Sequence, residues 1–164
     1  MRAKDETKRT GTWLVAVALT ALLVGCGGKM PEDLGAESGQ LGAYPSSPNC
    51  VSSAADASDE EHSIAALAIT GDPEAAWAAA REGVSSTPRT TVERAETDYL
   101  HAVYVSSLMR YRDDLELLLD REGMRIEVRS ASRVGYGDMG VNRARVEALR
   151  AALAERGVVR AAAD

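Results

Sequence analysis

Leu115-Glu116-Leu117-Leu118-Leu119-Asp120-Arg121-Glu122-Gly123-Met124-Arg125-Ile126-Glu127-Val128-Arg129 is the stretch that decides the fold. Leu115, Leu117 and Leu119 share one face of an extended chain, with Glu116 opposite. Met124, Ile126 and Val128 alternate with Arg125, Glu127 and Arg129, the period-two pattern of a half-buried strand. Arg121-Glu122-Gly123 between them reads as a hairpin turn, and so short a connection forces antiparallel neighbours. Upstream, Tyr99 to Leu108 alternates Leu100, Ala102 and Tyr104 with His101, Val103 and Val105. Both of its faces are fairly apolar, which predicts a central strand. Thr90 to Glu96, with Thr90, Thr91 and Val92, predicts another. Helices bracket these four strands. Pro73 to Glu82 is Ala-rich, carries Trp77, has Asp72 as a cap and Gly83 as a stop. Asn142 to Arg156 places Val146, Leu149 and Leu153 on one stripe and meets Gly157. The expected architecture is helix, four-strand antiparallel meander, helix: a two-layer α+β domain. No internal repeat is visible.

The composition sets the class. The chain has 164 residues, 45% of them hydrophobic and 27% charged, with 19 Lys+Arg against 25 Asp+Glu and a net charge of -6. That is one ordinary globular domain. An acidic balance argues against sequence-independent binding to nucleic acid, which needs a basic footprint. Phe is absent, so the core rests on aliphatic residues, Trp77 and a few Tyr. Two Cys exclude a disulfide scaffold.

The first 26 residues read as a targeting segment. Arg2, Lys4, Lys8 and Arg9 form a basic head, and Trp13 to Val24 is an apolar run of 12 residues. A bilayer core needs about 20 helical residues, so the run has the length of a signal-peptide core instead. It ends in Leu23-Val24-Gly25-Cys26, which resembles a bacterial lipobox. That resemblance implies removal of residues 1–25 as a lipoprotein signal peptide. It also implies a thioether diacylglycerol on Cys26 and acylation (palmitate or a similar chain) of the new amine. Two or three acyl chains, at about 0.8 kcal/mol per buried CH₂, anchor stably where one is marginal. Gly27 and Gly28 follow, with no Asp beside Cys26, which favours the outer membrane where the cell has one. Removing four basic and two acidic side chains leaves 15 basic against 23 acidic, a net of -8, with Lys29 the one remaining Lys. Residues 26–43 are rich in Gly and polar residues and are expected as the lipidated Cys and a flexible tether. The globular domain is expected over 44–157, and 158–164 as a C-terminal tail.

Two segments stand out within that domain. One is Ser46-Ser47-Pro48-Asn49-Cys50-Val51-Ser52-Ser53. The other runs from Arg129-Ser130-Ala131-Ser132-Arg133 through Val134-Gly135-Tyr136-Gly137-Asp138-Met139-Gly140 to Val141-Asn142-Arg143-Ala144-Arg145. Together with Tyr111-Arg112-Asp113-Asp114 they resemble the domain-of-unknown-function family numbered 1499, over about residues 44–156. The resemblance implies a secreted, lipid-anchored or membrane-attached protein, mostly bacterial. It brings no established activity with it.

Candidate chemistry is sparse. With Cys26 lipidated, Cys50 has no intramolecular partner. It is a buried structural thiol, a cross-linking or redox thiol, or a nucleophile using His62 or His101 as base. The loop from Ser130 to Asn142 leaves a strand, passes Gly135, Gly137 and Gly140, and enters a helix N-terminus, an arrangement able to hold an anion. Arg129, Arg133, Arg143 and Arg145 offer bidentate contacts, with Ser130, Ser132, Tyr136, Asp138 and Asn142 beside them. The structural alternative has Asp113, Asp114 and Asp138 neutralising the Arg groups, with Asp138 or Asn142 capping the helix. Asp113 and Asp114 are strand neighbours and point to opposite faces, which argues against a shared metal. His62 follows Glu60 and Glu61, but the spacing fits no zinc pattern. No Gly-Lys-Ser/Thr phosphate loop, dinucleotide fingerprint or Gly-x-Ser-x-Gly elbow is present. No metal and no cofactor are expected. The leading expectation is a lipid-anchored envelope protein that binds an anionic small molecule, a lipid headgroup or an envelope partner. The alternatives are a hydrolase or transferase using Cys50 or a carboxylate, and a scaffold within an envelope complex.

Overall fold

A computed structural model describes residues 28–162. The segment expected as a signal peptide, and Cys26, lie outside the described residues. In chain order the elements are β1 (Ala36–Glu37), β2 (Gln40–Leu41), β3 (Cys50–Ser52), β4 (Leu67–Ala68), α1 (Pro73–Ser85), β5 (Thr90–Ala95), β6 (Tyr99–Val105), β7 (Arg112–Asp120), β8 (Arg125–Ser132) and α2 (Val141–Glu155). This is an α+β fold with two helices and antiparallel sheets.

The alternating segments pair in succession, β5 with β6, β6 with β7, and β7 with β8. The sheet is wider than the four expected strands. β3 and β4 both pair with the outer edge of β8, β3 towards its C-terminal end and β4 towards its start, giving six strands. Strands of two or three residues carry too little alternation to be legible. β6 is interior as expected, although β7 is the middle of the path β3-β8-β7-β6-β5. β6 also stops at Val105 rather than Leu108, because residues 106–111 turn, closed by Ser106 N–H to the Tyr111 carbonyl.

One face of the sheet presents Leu100, Ala102, Leu115, Leu117, Leu119, Ile126 and Val128 to both helices, and this is the main core. α1 starts as read: Pro73 occupies the first turn, and the Asp72 carboxylate accepts from the backbone N–H of Glu74 and Ala75. It does not stop at Gly83. A Cβ there would lie 3.1 Å from Leu149 Cδ1, so the missing side chain lets α2 pack close, and the helix runs on to Ser85. α2 ends on Gly157 at φ 72°, where the N–H groups of Gly157 and Val158 return to the carbonyls of Ala154 and Leu153. That is a Schellman closure, in which a left-handed glycine costs nothing. Part of the expected tail is tied in: Val159 is buried and bridges Ile69, and Arg160 N–H reaches the Ala68 carbonyl.

The other face is covered by a stretch expected as tether. β1 and β2 form a small hairpin, and Leu41 packs on Tyr99 and Leu118. Three apolar residues in a Gly-rich segment give no periodic signal, so only the docked structure reveals it. No helix among the described residues is long and apolar enough to cross a membrane.

Candidate functional site

The strand period places Asp113 and Asp114 on opposite faces of β7, and each meets an Arg of the closing motif there. On the helix face, Arg145 Nη2 donates to Asp113 Oδ2 at 2.5 Å, and its guanidinium lies 4.5 Å over the Tyr104 ring. Arg145 Nη1 reaches Ser130 Oγ and Asn142 Oδ1. Asn142 is fully buried and is the hub. Its Oδ1 also accepts from Ser130 Oγ, while its Nδ2 donates to the Asn49 carbonyl, Ser132 Oγ and Asp138 Oδ2. Asn142 is therefore no cap. The cap position is Gly140, in the left-handed region at φ 78°, and Asp138 serves the helix start by accepting from the Gly140 and Asn142 N–H groups. Asn49, in the first motif, ties back through Nδ2 to the Gly135 carbonyl. The two motifs are thus two sides of one hydrogen-bonded seam.

On the opposite face, Asp114 accepts a two-pronged contact from Arg133 Nε and Nη2, both at 2.8 Å, and a third from His101 Nε2 at 2.7 Å. Burial would raise the Asp114 carboxyl, but the bonds from Arg133 and His101 outweigh it and hold it below its ordinary value. Beside it, Glu116 accepts from Tyr99 Oη (2.6 Å), Gly35 N–H (2.8 Å) and Arg129 Nη1 (2.6 Å). Arg129 Nη2 continues to Asp33 on the hairpin segment. Burial and the Glu116 contact push the Tyr99 phenol well above its usual range, so it stays a donor. A cavity of about 180 Å³ lies here, bounded by Asp33, Pro45, Asp114, Glu116, Arg129 and Arg133. Its two cations face three carboxylates, so it holds no net positive charge for an anion.

Arg143 is placed elsewhere. It donates to the backbone carbonyls of Ser63, Glu60 and Glu61 and pins that loop to α2. Each of the four Arg groups singled out in the sequence therefore has a partner within the chain. Tyr136 is 79% exposed and stands apart from the seam.

Cys50 is buried on β3. Its thiol donates to the Pro45 carbonyl at 3.2 Å and approaches the Ser47 carbonyl at 3.5 Å. Burial pushes it up to about 11, against a smaller downward pull from Arg129. His62 comes close in an unexpected way, because its Nε2 shares the Ser47 carbonyl with the thiol. Its Nδ1 faces the Asp59 carboxylate at 2.9 Å, not Glu60 or Glu61. Both ring nitrogens face acceptors, and although burial opposes it, these contacts raise the imidazole above its ordinary value. A ring whose two nitrogens are already directed at the Asp59 carboxylate and the Ser47 carbonyl is not a base poised to take the thiol's proton. Cys50 in a folded Cys26→Ser variant is expected to resist iodoacetamide at pH 8 and to react only on unfolding. Alkylation of the native protein at the rate of a free thiol would restore the nucleophile reading.

The surface that sequence reading missed lies at the end of the sheet where β6 turns into β7 and β8 into α2. Leu108 (86% exposed), Met109, Tyr111, Met139 (101%) and Val141 stand in solvent around a hollow of about 620 Å³. The available signal was the pair Leu108-Met109, which breaks the strand alternation, and Met139 between Asp138 and Gly140 in a turn.

Comparison with known proteins agrees with the motifs. No curated protein matches the chain. A profile described as "Protein of unknown function (DUF1499)" matches residues 40–153, which includes both motifs and the seam between them. The chain belongs to that family of proteins of unknown function, DUF1499.

Proposed function

We propose that this protein is a lipid-anchored, non-catalytic binding module of the cell envelope. It is held through acyl chains on Cys26, faces outside the cytoplasm, and sits on the outer membrane where the cell has one. One observation carries the non-catalytic reading: the polar residues that looked like chemistry are committed to each other. Arg129, Arg133 and Arg145 are paired with Glu116, Asp114 and Asp113, Arg143 holds backbone carbonyls, and the buried Cys50 thiol is raised by its burial and hydrogen-bonded to a backbone carbonyl. The closing motif then builds a rigid platform, and the surface left to meet a partner is the pair of loops at the end of the sheet. The anchored part of the reading rests on the lipobox and on the stability that two or three acyl chains give.

Metabolic labelling with an alkyne analogue of palmitate tests the anchor. The full-length chain is expected to take up label, to lose residues 1–25, and to do neither as Cys26→Ser. A chain that reaches the envelope unlabelled, or that keeps residues 1–25, overturns it.

A further inference from the structure

Resting on the anchored reading above, we propose that the two apolar loops at the end of the sheet are a membrane-docking surface, and that the occupant is the lipid bilayer holding the Cys26 anchor. Eight large hydrophobic side chains are exposed among the described residues, and six belong to these loops: Leu108, Met109 and Tyr111 on residues 106–111, and Tyr136, Met139 and Val141 on residues 134–141. Monomers rarely gather exposed apolar groups in this way without a partner for them. The remaining two, Met30 and Met124, are elsewhere in the sequence, and Met124 follows the β7–β8 turn at the opposite end of the sheet.

Where the chain enters the fold names the partner. Gly28 lines the same hollow. A Cβ at Gly28 would sit 2.7 Å from Arg133 Cβ and 3.0 Å from Val134 Cγ1, so the backbone presses directly on the second loop. Two residues separate Gly28 from Cys26, and two residues span at most about 7 Å. Acyl chains on Cys26 can therefore start no farther than about 7 Å from Gly28, which lines the hollow together with Leu108 and Met139, so the link leaves little length to hold the domain away.

The charge agrees. In a chain of net charge -6, residues 106–112 contain Arg110 and Arg112 and no acidic residue. Both Arg side chains are exposed, and neither is in an ion pair among the described residues. Lys29 is exposed next to Gly28. The acidic side chain of the second loop, Asp138, is occupied by the start of α2. Apolar tips ringed by Arg and Lys fit an interface of acyl chains and anionic headgroups. Tyr111 and Tyr136 suit it too, since a phenol ring sits well at the headgroup level. Both loops are also held in tight turns, with Arg110 at φ 59° and Met139 at φ 55°. The tips are presented by the fold, not left as slack chain.

The test uses the full-length gene product, purified as the mature protein and reconstituted in vesicles of phosphatidylethanolamine and phosphatidylglycerol. Single Leu108→Trp, Met139→Trp and Met124→Trp variants are compared with and without brominated acyl chains, against the constant signal of buried Trp77. The first two are expected to lose fluorescence to the brominated lipid, and Met124→Trp to keep it. Equal fluorescence in all three overturns the docking surface. So does a dimer seen by native mass spectrometry that Leu108→Asp dissolves, because a second copy would then cover the face. The mass of the same sample reports acylation. Missing quenching on an acylated protein overturns the docking alone, whereas an unacylated chain overturns the anchored reading beneath it.

Discussion

Glu116→Ala is expected to lower the unfolding free energy by about 3–5 kcal/mol, the usual cost of removing one partner from a buried ion pair. Glu116 and Arg129 are both nearly inaccessible, 1% and 3% exposed at their side chains. The loss goes beyond the pair. Tyr99 Oη and Gly35 N–H lose their acceptor as well, and Gly35 is one of the points that fasten the β1–β2 hairpin to the sheet. Asp33 remains as a partner for Arg129, but it is half exposed and screened by water. Since domains of this size are stable by only about 5–15 kcal/mol, the variant should lose a large share of its stability. Urea unfolding followed by circular dichroism measures it. A Glu116→Leu/Arg129→Met double variant should recover much of the loss, because the penalty is the orphaned charge. A single-variant loss below about 1 kcal/mol would show that water reaches this pair.

Asp114→Ala is expected to cost a similar amount, about 3–5 kcal/mol at pH 7, because it strands the buried Arg133 guanidinium and His101 together. This second result carries a pH signature. The folded-state carboxyl of Asp114 titrates lower than in the unfolded chain, where it lies at about 3.9. The unfolded state therefore binds its proton first as pH falls. The contribution of Asp114 is fully present above that unfolded value and is lost as pH drops through the lower folded value. The gap between the native protein and Asp114→Ala should narrow as the pH falls below about 4. Midpoints of urea unfolding at pH 7, 5 and 3 test it, and a gap that stays constant to pH 3 would mean that Asp114 is not the charged acceptor.

Both effects concern carboxylates that pair with Arg residues which resemble a binding site in the sequence and act as fasteners in the fold. The resemblance is understandable. An anion pocket and a self-neutralised ion-pair platform use the same Arg, Ser and Asn side chains, and differ only in whether a carboxylate already faces each guanidinium. Here Asp113 and Asp114 project to opposite faces of one strand and satisfy Arg145 and Arg133 separately. Both Asp residues meet an Arg of the closing motif, one on each side of the sheet. Such a platform fixes where the loops at the end of the sheet point.

By itself the sequence determined what is local. Period-two alternation marked β6, β7 and β8, Thr90-Thr91-Val92 marked β5 by strand propensity, Asp72-Pro73 marked the start of α1, and Gly157 marked the end of α2, because each is a property of neighbouring residues. The long closing motif was equally legible as a family signature. What only the tertiary structure decided is everything that brings distant residues together. β3 and β4 exist because the edge of β8 offers them hydrogen bonds, not because Cys50–Ser52 or Leu67–Ala68 are strands by composition. The hairpin at residues 36–41 is held by Leu41 against Tyr99 and Leu118, and by Gly35 and Asp33 against Glu116 and Arg129, over separations of 58 to 96 residues. Gly83 reads as a helix stop until Leu149 is seen beside it. Asn142 reads as a cap until five partners from four segments close around it. The exposed Leu108 and Met139 come together in the same way, since a strand end and a helix start, some thirty residues apart in the chain, are neighbours only once β7 and β8 have paired.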